Sequence, residues 1–306
     1  MTQNLLKKYD LRRFPNRINW EITHHCSFGC SYCVNRQVNK EIQAAKLSPD
    51  EIARCFEKTN KQWLILITGG EPFEYPDFVA VCSALTQKHH LQITSNLSSP
   101  EIMYFADTIN PSQIFLVSAS FHAIQREKNA SINDFTNKCK YLIEKGFPVL
   151  VNYLAHPDCF RRIAGDLQML KDLQIETFVI PMRGLHQQLK YPEAYTREQW
   201  EVMEPFLLDE NIEKESAFSR LNFYARRCEA GSHYFFMNPK GDISRCASLQ
   251  KKTGNIFDGS FVYSVISRPC IAKNCNDVYC GVAAVTQKKA SKLAVYCEEK
   301  YYQRLK

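Results

Sequence analysis

Six short apolar, β-rich runs alternate with helix-like stretches through the first two thirds of this chain, and that rhythm constrains the fold more than any other feature. The runs lie at 18–23, 63–68, 91–95, 114–119, 148–154 and 176–181. Several are continuously apolar, as in Trp63-Leu64-Ile65-Leu66-Ile67, the pattern of strands covered on both faces. Helix signals fall between them near 49–60, 76–88, 100–107, 132–146 and 160–173. Ser48-Pro49-Asp50-Glu51 opens the first with a cap residue, a proline at the first helical position and early acids. Such alternation predicts an α/β fold, a parallel sheet with helices outside. Six units fall short of the eight that close a full barrel.

The rhythm then breaks. Residues 184–200 are polar and aromatic, reading as a loop into a helix at 196–209, and the rest is Cys-rich without βα alternation. The expected organisation is a domain at 1–210 and a small module at 211–306. Within the module, Phe235-Phe236-Met237-Asn238-Pro239-Lys240-Gly241-Asp242-Ile243-Ser244-Arg245 reads as a β-hairpin running into Cys246.

Composition narrows the setting. No run approaches the length and apolarity of a membrane span, and the N-terminal MTQNLLKKYDLRR lacks a signal-peptide apolar region. The expectation is therefore a cytoplasmic protein with no membrane partner. Thirteen cysteines in such a chain argue for metal ligation and free thiols over disulfides. The net charge of +7 is scattered, and the densest basic stretch, Gln287-Lys288-Lys289-Ala290-Ser291-Lys292, reads as a solvated helix face. No nucleic-acid partner is expected.

Three of the thiols fall in eight residues. Cys26-Ser27-Phe28-Gly29-Cys30-Ser31-Tyr32-Cys33 follows the first strand with C-x3-C-x2-C spacing, and three thiolates on one loop can converge on an iron–sulfur cluster. A closed structural cluster or zinc takes four protein ligands, so one iron is left open. At the end of the second strand stands Thr68-Gly69-Gly70-Glu71-Pro72, where glycines admit close backbone approach and Glu71 adds a carboxylate.

Together these motifs resemble the radical S-adenosylmethionine enzymes. The resemblance implies an open (β/α)6 partial TIM-like barrel with its chemistry at the C-terminal strand ends. It implies a [4Fe–4S] cluster on Cys26, Cys30 and Cys33, its open iron chelated by S-adenosylmethionine. Gly69, Gly70 and Glu71 would hold the cofactor's amino group and Tyr32 would meet its adenine. It also implies an electron donor such as flavodoxin or ferredoxin. By the same analogy Ser120 and Asn152 contact the ribose or methionine portion, and Arg183 binds an anionic cofactor or substrate group. His122 is a candidate proton acceptor, with a structural role as its alternative. His186, Tyr191 and Tyr195 are candidates for the substrate entrance.

In the tail, Cys228, Cys246, Cys270, Cys275 and Cys280 resemble the twitch and SPASM modules of that family, with Gly241-x4-Cys246 as the shared element. The later C-x4-C-x4-C departs from the full SPASM string. An auxiliary [4Fe–4S] cluster is expected on Cys228, Cys246 and two of the last three, one being spare; a zinc knuckle is the alternative. Cys55, Cys82 and Cys139 read as core residues.

The resemblance implies a 5′-deoxyadenosyl radical that abstracts hydrogen. The expected substrate is a small polyhydroxylated, sugar-like molecule undergoing dehydrogenation or epimerisation. A peptide maturase forming a thioether or carbon cross-link is the alternative. Peptide-acting members often carry an N-terminal leader-binding domain, whereas 25 residues precede Cys26 here. A non-catalytic iron–sulfur or zinc scaffold is the third reading, and Gly69-Gly70-Glu71-Pro72 argues against it.

Overall fold

The Ser48 hydroxyl accepts from the Glu51 amide while the Glu51 carboxylate takes the Ser48 N–H, closing a capping box ahead of Pro49. Helix α1 (Pro49–Glu57) therefore starts where the sequence places it. The computed structural model describes residues 8, 10–33, 43–129, 131–207, 215, 218, 220–275 and 285–304. The expected domain boundary at 210/211 and Cys280 lie outside them.

Strands β1 (Arg17–Thr23), β2 (Leu64–Gly69), β3 (His90–Ser95), β4 (Ile114–Phe121), β5 (Val149–Ala155) and β6 (Thr177–Pro181) match the six apolar runs closely. Between them lie α1, α2 (Phe78–Leu85), α3 (Glu101–Thr108), α4 (Ala123–Asn129), α5 (Ile132–Glu144) and α6 (Ile163–Asp172). Neighbouring strands of the six pair in parallel. Side chains alternate across the sheet. Ile18, Trp20, Ile65, Ile67, Leu91, Ile93, Val117, Val151 and Val179 join the large core shared with the helices. Leu116, Leu150 and Phe178 form a separate small cluster on the opposite face. That second face turns polar towards the C-terminal strand ends, with Thr94 opposite Ser118 and Ser120 opposite Asn152.

The Cys-rich tail extends this same sheet. Strands β10 (Tyr234–Met237), β11 (Asp242–Cys246) and β12 (Leu249–Asn255) follow the short β7 (Gly184–His186), β8 (Leu189–Tyr191) and β9 (Arg226–Cys228). The hairpin strand β10 lies parallel to β1, giving a nine-stranded order β12-β11-β10-β1-β2-β3-β4-β5-β6. The sheet is mainly parallel and does not close, matching the partial barrel. Strand β9 pairs with β13 (Arg268–Pro269) and β14 (Val285–Lys289) in a second sheet, and β7–β8 form a hairpin above β6. Helix α7 (Arg197–Met203) is shorter than the expected 196–209 element. The C-terminal α8 (Lys292–Arg304) is fastened by a buried Arg245–Glu298 ion pair at 2.8 Å. Among the described residues no helix is long and apolar enough to cross a membrane.

Candidate functional site at the C-terminal strand ends

The loops after β1 and β2 are locked together by their backbones. The Gly70 N–H donates to the Thr23 carbonyl at 2.6 Å, and the Glu71 N–H to that of His25 at 2.7 Å. A Cβ on Gly70 would stand 1.9 Å from the His25 carbonyl oxygen, and one on Gly69, at φ +131°, 2.1 Å from that of Thr23. These glycines thus admit the chain's own backbone, beyond the ligand approach expected from sequence. Gly70→Val should cost at least about 2 kcal/mol of folding stability and lower iron content with it. Urea denaturation checks this, and an unchanged midpoint would show that the loops part easily.

Two carboxylates brace this junction. Glu71 is buried and accepts from the Ser95 hydroxyl and Asn96 N–H, both at 2.7 Å, and from the Phe73 N–H at 3.2 Å. Burial pushes it up to about 7 against those bonds. Glu74, which the sequence reading missed, accepts from the Ser27 N–H at 2.9 Å and its hydroxyl at 2.6 Å, and lies 3.3 Å from His25 Nε2. It fixes the entry to the three-thiol loop.

On that loop Cys30 is buried, Cys26 and Cys33 are partly exposed, and none of the three is in a disulfide among the described residues. The Asn96 amide donates to Cys26 Sγ at 3.8 Å. Burial, with the Glu71 and Glu74 charges adding, pushes the Cys26 thiol up to about 12. A thiolate in that place calls for an adjacent cation, which the iron of a cluster would supply.

Tyr32 is buried, its hydroxyl 3.3 Å from His122 Nδ1 and its ring 5.2 Å from that of His156. Desolvation, with the Arg126 charge adding, pushes the His122 imidazole down to about 4. It is a weak base at neutral pH, which favours a hydrogen-bonding role towards Tyr32. Asn152 Nδ2 donates to the Ser118 hydroxyl at 2.6 Å, leaving its Oδ1 buried without a partner among the described residues. Ser120 lies opposite it on β4, half-buried, and Arg183 is half-buried just past β6. His186 and Tyr191 come from the β7–β8 hairpin, their rings 6.5 Å apart. Tyr195 instead packs internally, its hydroxyl donating to the Ala155 carbonyl and accepting from the Met182 N–H.

Arg126 went unnoticed in the sequence. It sits on α4, 1% exposed, with its centre 4.4 Å from the Phe135 ring and 5.4 Å from that of Phe28 on the thiol loop. All three guanidinium nitrogens lack hydrogen-bond partners among the described residues. A buried, unpaired cation is costly, and an anion would relieve that cost.

In the tail, Cys228, Cys246, Cys270 and Cys275 line a single cavity of about 20 Å³. The first three are buried, and the Ala230 N–H donates to Cys228 Sγ at 3.4 Å. Cys55, Cys82 and Cys139 are buried in α1, α2 and α5.

Residues 20–165 match the Radical SAM superfamily. The fold is similar to that of Streptococcus suis SuiB bound to S-adenosylmethionine, with a TM-score of 0.57 at 17% identity over 92% of this chain and 70% of that one. It is also similar to anSMEcpe with bound AdoMet, with a TM-score of 0.58 at 13% identity over 94% of this chain and 95% of that one. No curated protein matches the chain.

Proposed function

We propose that the chain is a radical S-adenosylmethionine enzyme, a reading supported by the Radical SAM superfamily match over residues 20–165, and that it abstracts hydrogen from a small polyhydroxylated substrate and passes an electron to an auxiliary cluster. Cys26, Cys30 and Cys33 would hold a [4Fe–4S] cluster, and the backbone lock between the loops carries this reading, since it sets Gly69, Gly70 and Glu71 beside the thiols. When bound, the cluster and S-adenosylmethionine supply a 5′-deoxyadenosyl radical. The chain's residues bind, orient and shield. Tyr32, held by His122, offers a ring to the adenine. Asn152 presents an unpaired acceptor to the ribose, with Ser120 beside it, and Arg126 or Arg183 receives a carboxylate.

Cys228, Cys246, Cys270 and Cys275 would hold the auxiliary [4Fe–4S] cluster. Four cysteines lining one cavity match the ligand count of a closed cluster, which suits an electron acceptor and favours dehydrogenation over epimerisation. The peptide reading has its own support. SuiB has been solved with precursor peptide SuiA at a TM-score of 0.57, and anSMEcpe with the Kp18Cys peptide at 0.56. Anaerobic incubation with S-adenosylmethionine, reductant and either sugar-like alcohols or peptides separates the two. Substrate-dependent 5′-deoxyadenosine with peptides alone would overturn the small-molecule reading.

Arg126→Met gives a second check. Removing an unpaired buried cation should leave folding stability equal or higher. Cofactor affinity should fall about tenfold or more, the worth of a lost charged hydrogen bond. Equilibrium dialysis with labelled S-adenosylmethionine reads the affinity, and an unchanged value would leave the carboxylate to Arg183.

A further inference from the structure

His156, Asp158 and His186 converge at the mouth of the barrel. His156 follows β5, Asp158 stands in the turn Pro157–Cys159, and His186 ends β7. One ligand atom from each lies within 4.8 Å of the others. His186 Nε2 is 3.0 Å from Asp158 Oδ1, and His156 Nδ1 is 3.8 Å from Asp158 Oδ2. Donors placed about 2.0–2.2 Å from a common ion stand roughly 3–4 Å apart, so both spacings fit. The two imidazole rings meet at 4.5 Å between centroids.

We propose that these three side chains form a binding site for a divalent transition ion, with zinc the best match. Two imidazoles and one carboxylate suit such an ion, whereas calcium and magnesium prefer all-oxygen sets. The sequence offers no local reason for the meeting, because His186 comes from a different hairpin 28 residues beyond Asp158. His156 Nδ1 accepts only a long bond from the Asp158 N–H, at 3.3 Å, which an ion readily replaces.

Three protein ligands leave coordination positions open, as in catalytic zinc sites. Asp158 is 45% exposed, so those positions face the mouth. Tyr32 packs against His156 from the side where the cofactor is proposed to bind. An ion here would pin the β7–β8 hairpin to the end of β5 and hold a substrate oxygen. The oxygen-binding step rests on the proposed function; the ion binding does not.

The test uses the anaerobic enzyme with its full iron complement, dialysed against buffered zinc and assayed for zinc and iron. The parent should take up a saturable zinc ion that raises its thermal midpoint. His186→Ala and Asp158→Asn should each weaken that zinc by more than about tenfold, with iron content unchanged. The Asp158 side chain is 45% exposed and that of His186 only 18%, so Asp158→Asn is the variant that leaves the packing undisturbed. Zinc uptake equal to the parent's in both variants would overturn the site, as would a parent that takes up none. Formation of 5′-deoxyadenosine, measured on the same samples, shows separately whether the radical reading stands.

Discussion

A Cys30→Ala enzyme should contain about four irons fewer per chain than the parent and form no 5′-deoxyadenosine above background. Cys30 is the buried member of the three thiols, and Cys26 and Cys33 flank it on a segment fixed by Glu74 and by the backbone lock to Gly70 and Glu71. Two thiolates cannot retain a cluster that already has one open iron, and without it S-adenosylmethionine has no chelating metal. Cys26→Ala, at a partly exposed position, should give the same result and guards against a folding artefact. Anaerobic reconstitution followed by iron analysis and chromatography of the nucleoside reads both quantities. Undiminished 5′-deoxyadenosine from either variant would remove these cysteines from the cluster.

The strands of the barrel were legible because their signal is local. A continuous apolar run such as Leu64-Ile65-Leu66-Ile67 specifies a doubly covered strand wherever it pairs. Helix α4 was not legible, since Gln125-Arg126-Glu127-Lys128 carries no apolar stripe, and with it Arg126 was missed. The hairpin at 234–246 was readable from its turn, but its docking partner was not. Its pairing with β1 joins residues more than 200 positions apart, a register that no local pattern encodes. The same limit hid Glu74, whose role depends on Ser27 across a loop crossing. Spacing showed five tail cysteines without ranking the last three; the placement of Cys275 in the cavity with Cys228, Cys246 and Cys270 is tertiary information.

That placement sets the second large expectation, that the tail site is separable from radical initiation. The tail thiols pack with Leu64, Leu66, Ala230 and Tyr234, in a cluster distinct from the core around Cys30. No thiol is shared between the two groups among the described residues. A Cys228→Ala/Cys246→Ala enzyme should therefore keep about four irons where the parent should hold about eight. It should still form some 5′-deoxyadenosine while losing turnover of its substrate, because the proposed electron acceptor would be gone. Misfolding of the tail would mimic that loss, since metal binding contributes to the folding of Cys-rich modules. The buried Arg245–Glu298 pair and the β10–β1 pairing hold the tail in place without the thiols, so soluble monodisperse protein is expected. Iron and zinc content on such protein decides the matter. A parent with about four irons and a zinc ion that the double variant loses would make the tail a structural zinc module and end its electron-transfer role. Zinc lost instead with His186→Ala would belong to the mouth of the barrel.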